Sequence, residues 1–159
     1  MYARKTVILA SALSLVVTVL QAAPPAEDTS AGTWKLNLAK STFASNTPPK
    51  SETRIHTVTP KGTHVVIEDE YADGKKTRVE TLVTYDGRPQ PTTGSGIWDS
   101  TATKRIDRYV TEADLLRNGK VVGRVRREVS PDGKTMKMVY VINRPDGRTV
   151  STLSVFERQ

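Results

Sequence analysis

The chain has 159 residues, no cysteine, 36% hydrophobic residues, 6% aromatic residues and a formal net charge of +7. That length fits one modest domain. The missing cysteines exclude a disulfide-stapled mini-protein, a thiol nucleophile and an acyl-anchored lipoprotein.

Residues 1–23 read as an export signal, because Arg4 and Lys5 precede an apolar run from Thr6 to Leu20 and the small residues Ala22 and Ala23 follow. The run is interrupted by Ser11, Ser14 and Thr18 and is shorter than the roughly 20 apolar residues of a spanning helix, so cleavage after Ala22 or Ala23 is expected. The product would have no membrane anchor and would reside in the periplasm or outside the cell. Removing Arg4 and Lys5 leaves 22 cations against 17 anions, a charge of +5. Residues 24–31, rich in proline and polar side chains, read as a flexible leader, and residues 32–159 as a single β-barrel domain.

Residues 24–159 contain 14 Val, 5 Ile and 19 Thr against only 6 Leu and 7 Ala, a balance that favours strands over helices. Glycine recurs in one setting: Pro60-Lys61-Gly62, Ala72-Asp73-Gly74, Tyr85-Asp86-Gly87, Arg117-Asn118-Gly119, Pro131-Asp132-Gly133 and Pro145-Asp146-Gly147. Each triplet suits a hairpin turn. Between them the segments alternate, as in Trp34, Leu36, Leu38 and in Val65, Ile67, Asp69, Tyr71. Further strands are expected near 104–107, 108–116, 120–129, 135–143 and 148–156. The fold class is therefore all-β, an up-and-down antiparallel meander of eight to ten strands closing into a barrel and so removing its edges. Residues 88–103, with Pro89, Pro91, Gly94 and Gly96, read as the longest loop, with Trp98 lying over one barrel end.

Gly32-Thr33-Trp34 at the start of the first strand and Arg158 at the end of the last resemble the Gly-x-Trp and returning arginine of the lipocalin and calycin barrels. The stretch from Gly32 to Phe43 is similar to small secreted bacterial proteins with lipocalin-like barrels. The resemblance implies that Gly32, Trp34 and Arg158 close the barrel, the guanidinium stacking across the indole. No second lipocalin motif and no disulfide accompany these residues.

In such a barrel the odd-numbered row through Ile55, Val65, Ile67, Tyr71, Val79, Val83 and Tyr85 faces inward and carries Asp69 with it. Arg127, between Val125 and Val129, is expected inside as well. Asp69 and Arg127 would then fix the polar head of a small apolar or amphipathic ligand, with Tyr71, Tyr85 and Trp98 as further lining, in a pocket of about 300 Å³ or more. The bland reading of the same pair is a structural ion pair.

A three-residue loop at Pro60–Gly62 would pair His56 with Val66 and leave His56 and His64 together on the outer face. With only Glu68 and Glu70 beside them, no metal site is expected. Neither a Gly-x-Ser-x-Gly elbow nor a glycine-rich phosphate loop occurs, so neither an enzyme nor a cofactor is expected. Arg117, Lys120, Arg124, Arg126 and Arg127 cluster in one hairpin, but alternation scatters them over both faces, and an exported protein has no nucleic acid to meet. The expected function is non-enzymatic binding of a small apolar or amphipathic molecule. The alternative is a packed envelope or protein-interaction domain.

Overall fold

The structure, a computed structural model, describes residues 28–44 and 48–159; the expected export signal and residues 24–27 of the expected leader lie outside them. Ten strands run in chain order: β1 (Gly32–Leu36), β2 (Ser51–Thr59), β3 (Gly62–Glu70), β4 (Lys76–Val83), β5 (Asp86–Thr93), β6 (Ser100–Arg105), β7 (Val110–Arg117), β8 (Lys120–Val129), β9 (Thr135–Asn143) and β10 (Thr149–Arg158). Each pairs antiparallel with its neighbours in sequence, and β1 with β10 closes the barrel, so the expected meander is the observed fold. Every predicted glycine turn falls at a junction of two successive strands, with Gly62, Asp86, Gly87 and Arg117 already in the strands themselves. Asn118-Gly119 has φ of 51° and 73°, as a two-residue type I′ loop requires.

One end of the barrel is shut by the residues that resemble the lipocalin closure. Trp34 is fully buried, and its Nε1–H donates to the Ser30 carbonyl at 2.8 Å. The Arg158 guanidinium lies 4.3 Å from the indole centroid, and its nitrogens donate to the carbonyls of Gly133 (2.6 Å), Thr29 (2.7 Å) and Ala31. Gly32 has φ +121° and a Cβ there would stand 2.6 Å from Arg158 Nη1, so the glycine makes room for the arginine. Phe156, Val129 and Met136 pack with Trp34 in the core beneath this lid.

Two sequence expectations change here. Residues 88–103 are not one long loop. They form most of β5, the start of β6 and a short turn between them, despite Pro89 and Pro91. The prolines survive because β4 and β5 pair over only two register positions, Glu80 with Thr93 and Thr81 with Thr92, so few ladder donors are needed on that side. The seam closes where Gly94, at φ +81°, lies against the Arg78 carbonyl, a position that a Cβ would occupy sterically.

The second change is in register. The β2–β3 turn contains two residues, Pro60 and Lys61, because Thr59 pairs with Gly62. His56 consequently pairs with Val65 rather than Val66. A shift of one residue turns every side chain of β2 to the opposite face. Ile55 points outward at 36% exposure, while Glu52, Arg54 and His56 are buried.

Candidate functional site

The barrel interior contains two polar layers with an apolar cavity between and beside them. The lower layer belongs to the closed end and is organised by Asp28. Residues 28–31 do not behave as a leader: Asp28 and Ser30 are buried beneath the barrel. Asp28 Oδ1 accepts from the Ser30 N–H at 2.9 Å and from the Ser30 hydroxyl at 2.8 Å. Its Oδ2 accepts from the Thr63 hydroxyl at 2.5 Å and from the Tyr85 hydroxyl. Arg127 Nη2 stands 3.8 Å from Asp28 and 3.3 Å from the Tyr85 oxygen. Burial opposes ionisation of Asp28, but Arg127 and the donors on Thr63, Tyr85 and Ser30 outweigh it and hold the carboxyl well below the usual carboxylate range.

His56 joins this layer through Nδ1, 3.0 Å from the Ser30 hydroxyl. Burial first, then the charges of Arg127 and Arg54, push its pKa from 6.5 down to about 3, with Asp28 pulling the other way. The unfolded chain therefore takes up a proton near pH 6.5 that the folded chain refuses until about pH 3. Stability contributed by neutral His56 is complete above pH 6.5 and declines as pH falls toward 3, by up to about 1.4 kcal/mol per unit. Glu52 and Asp69 have raised pKa values and act in the opposite direction, gaining stability on acidification. Urea titrations of wild type and His56→Asn between pH 7 and 4 separate the two: the variant should lose the His56 decline and retain the carboxylate gain. Parallel curves would show that His56 does not titrate as a buried group.

The upper layer is centred on Arg54. Its Nε donates to Glu52 Oε1 at 2.6 Å and its Nη2 to the Tyr140 hydroxyl at 2.8 Å. The guanidinium also lies 4.9 Å from the centre of the Phe156 ring. Asp69 is the register partner of Glu52, and its Oδ2 accepts from the Thr77 hydroxyl at 2.9 Å. Burial raises the pKa of Asp69, and the Thr77 hydroxyl and Arg54 only partly offset it.

The cavity has a volume of about 70 Å³ and is walled chiefly by Val65, Val79, Val83, Ala113, Leu115 and Val125. Its polar rim comes from Arg54, His56, Arg127, Tyr140 and a series of threonines, and Trp98 on the β5–β6 turn lies on its wall. Two backbone N–H groups, of Ile97 and Trp98, donate to Ser95 Oγ and shape that turn. The volume is well below the roughly 300 Å³ of ordinary ligand pockets, so only a small group fits.

The predicted site residues are therefore distributed rather than gathered. Arg127 and Trp98 line the cavity. Tyr85 lies under it in the closed end, at φ +63°. Asp69 faces inward but belongs to the Glu52–Arg54 layer, and Tyr71 lines an outer groove with Leu38, Phe43 and Pro48. Asp69 and Arg127 do not form the expected pair: Arg127 has Asp28, and Asp69 has Thr77. Glu52, Arg54 and His56 were missed because one residue of turn length reversed β2. Asp28 was missed because nothing local marks a leader residue that returns to plug a barrel.

On the outer wall Arg124 pairs with Asp114 at 2.9 Å and Arg126 with Glu112 at 2.6 Å. His64 faces outward, 3.3 Å from Glu80, on the face opposite to His56. No known family model matches the chain, and no curated protein is similar to it in sequence.

Proposed function

We propose that the chain is an exported, non-enzymatic, lipocalin-like barrel that binds a small apolar or amphipathic molecule, or the slender end of a larger one. The observation that carries this reading is the composition of the cavity. His56 and Arg127 line this apolar cavity, and each carries a buried nitrogen, Nε2 and Nε, for which the described residues supply no hydrogen-bond partner. Such groups cost free energy unless something else in the interior satisfies them. The Gly32, Trp34 and Arg158 closure supports the lipocalin-like part of the reading, and the export signal read over residues 1–23 supports a periplasmic or extracellular site of action. Outer-wall arginines already paired with Asp114 and Glu112 offer little to a nucleic-acid backbone.

A protein-interaction domain is the second reading, favoured by the small cavity and by Val139 and Val141, exposed on the outer face of β9. Intact-mass measurement of the exported protein under native and denaturing electrospray conditions tests both. A reproducible non-covalent adduct lost on denaturation is expected of the carrier. A bare mass across preparations together with a stable oligomer would transfer the assignment to the interaction domain.

A further inference from the structure

The two unpartnered nitrogens specify the chemistry of what they would meet. His56 and Arg127 both line the cavity and are 4% and 7% exposed. The position of the proton on the imidazole follows from the chain behind it. Asp28 is a carboxylate held by four hydrogen-bond donors, so it can only accept. Ser30 has a single hydroxyl proton and gives it to Asp28 Oδ1 at 2.8 Å. The Ser30 oxygen must then accept at its 3.0 Å contact with His56, which places the imidazole proton on Nδ1. In the neutral ring Nε2 is consequently a bare acceptor. Arg127 Nε–H, by contrast, is a permanent donor.

We infer that the cavity recognises a neutral hydroxyl group: an aliphatic alcohol, or the hydroxyl end of a longer aliphatic chain, donating to His56 Nε2 and accepting from Arg127 Nε–H. The inference rests on the carrier reading and adds the identity of the polar head. A carboxylate or an ether oxygen can only accept and sets its lone pairs against the bare Nε2. An ammonium can only donate and meets a guanidinium. Arg127 does not call for an anion, because Asp28 already faces it at 3.8 Å. Water has the same donor and acceptor complement as a hydroxyl, so an alcohol can replace it without loss of hydrogen bonds while burying its alkyl part against Val65, Val83 and Val125.

The test uses protein labelled with 15N at histidine, titrated separately with 1-butanol, its isomer methyl propyl ether and butyrate. Butanol and the ether have the same atoms and nearly the same volume, and differ in one donor. Butanol should bind saturably, at least about tenfold more tightly than the ether, and should leave the His56 Nε2 resonance upfield of its position in the ether-bound protein, because only the alcohol donates a hydrogen bond to that nitrogen. His64, on the outer surface, serves as the internal control. His56→Asn retains a donor toward Ser30 and removes the cavity acceptor, so it should abolish the preference for butanol over ether. The wild-type series stands without the variant should the variant not fold. Equal binding of butanol and ether with the Nε2 resonance at the same position in both complexes would overturn the hydroxyl inference and leave an apolar carrier intact. Tighter binding of butyrate would overturn it in favour of an anion site. Failure of every probe to bind saturably would remove the carrier reading along with it.

Discussion

Trp34→Ala is expected to lower the unfolding free energy by about 3–5 kcal/mol, measured by urea denaturation. The indole is fully buried, so truncation leaves a hole between Phe156, Met136 and Val129 that the closed β-wall can fill only in part. It also strands the Ser30 carbonyl, which accepts from the indole N–H at 2.8 Å, and removes the platform on which Arg158 stacks. The sequence resemblance alone would give Arg158→Ala a cost of about 1 kcal/mol, the value of a cation–π contact with stem packing. With donors from its guanidinium engaged by Gly133, Thr29 and Ala31, its loss should cost about 2–3 kcal/mol. In the double variant the two losses should fall short of additivity by about 1 kcal/mol, since each removes half of the stack. A Trp34→Ala protein that melts with wild type would overturn the closed end described here.

The second large effect is at Asp28. Asp28→Ala should destabilise by about 3–5 kcal/mol, because it leaves the Arg127 guanidinium buried without its counter-charge and the hydroxyls of Thr63 and Tyr85 without their acceptor. The double variant Asp28→Ala/Arg127→Met should be more stable than Asp28→Ala alone, since removing both charges avoids the unpaired one. Denaturant midpoints of the three proteins decide the matter. If Asp28→Ala is within about 0.5 kcal/mol of wild type, residues 28–31 are not seated in the barrel, and the hydrogen-bond chain through Ser30 to His56 loses its anchor.

The contacts behind these effects join residues far apart in the chain. Asp28 precedes Arg127 by 99 residues, and Arg158 hydrogen-bonds the carbonyls of Thr29 and Ala31 from the last strand. Local sequence contains no signal for such contacts, which is why the acid nominated to partner Arg127 was Asp69, the one visible on a recognisable strand. Asp69 does face inward as its row requires, but along that row it stands beside Glu52 and Arg54 in the other polar layer.

What the amino-acid sequence determined on its own is the set of features that depend on neighbours in the chain. Alternation of Val, Ile and Thr with polar residues, interrupted by glycine turns, was enough for an all-β meander, and ten antiparallel strands closing between β1 and β10 are what that pattern builds. Gly32, Trp34 and Arg158 were legible only through their resemblance to the lipocalin closure, since no neighbour in the chain marks the contact between them. Tertiary structure decided the rest. Whether two or three residues turn between β2 and β3 changes no composition and little local energy, yet it selects which face of β2 the barrel encloses, and so whether His56 lies on the surface or in the cavity. Pro89 and Pro91 argue against a strand until closure places β5 beside a neighbour that asks few hydrogen bonds of it. The proton on His56 is set at a greater remove still, by a carboxylate 28 residues away that only the closed barrel brings beneath it.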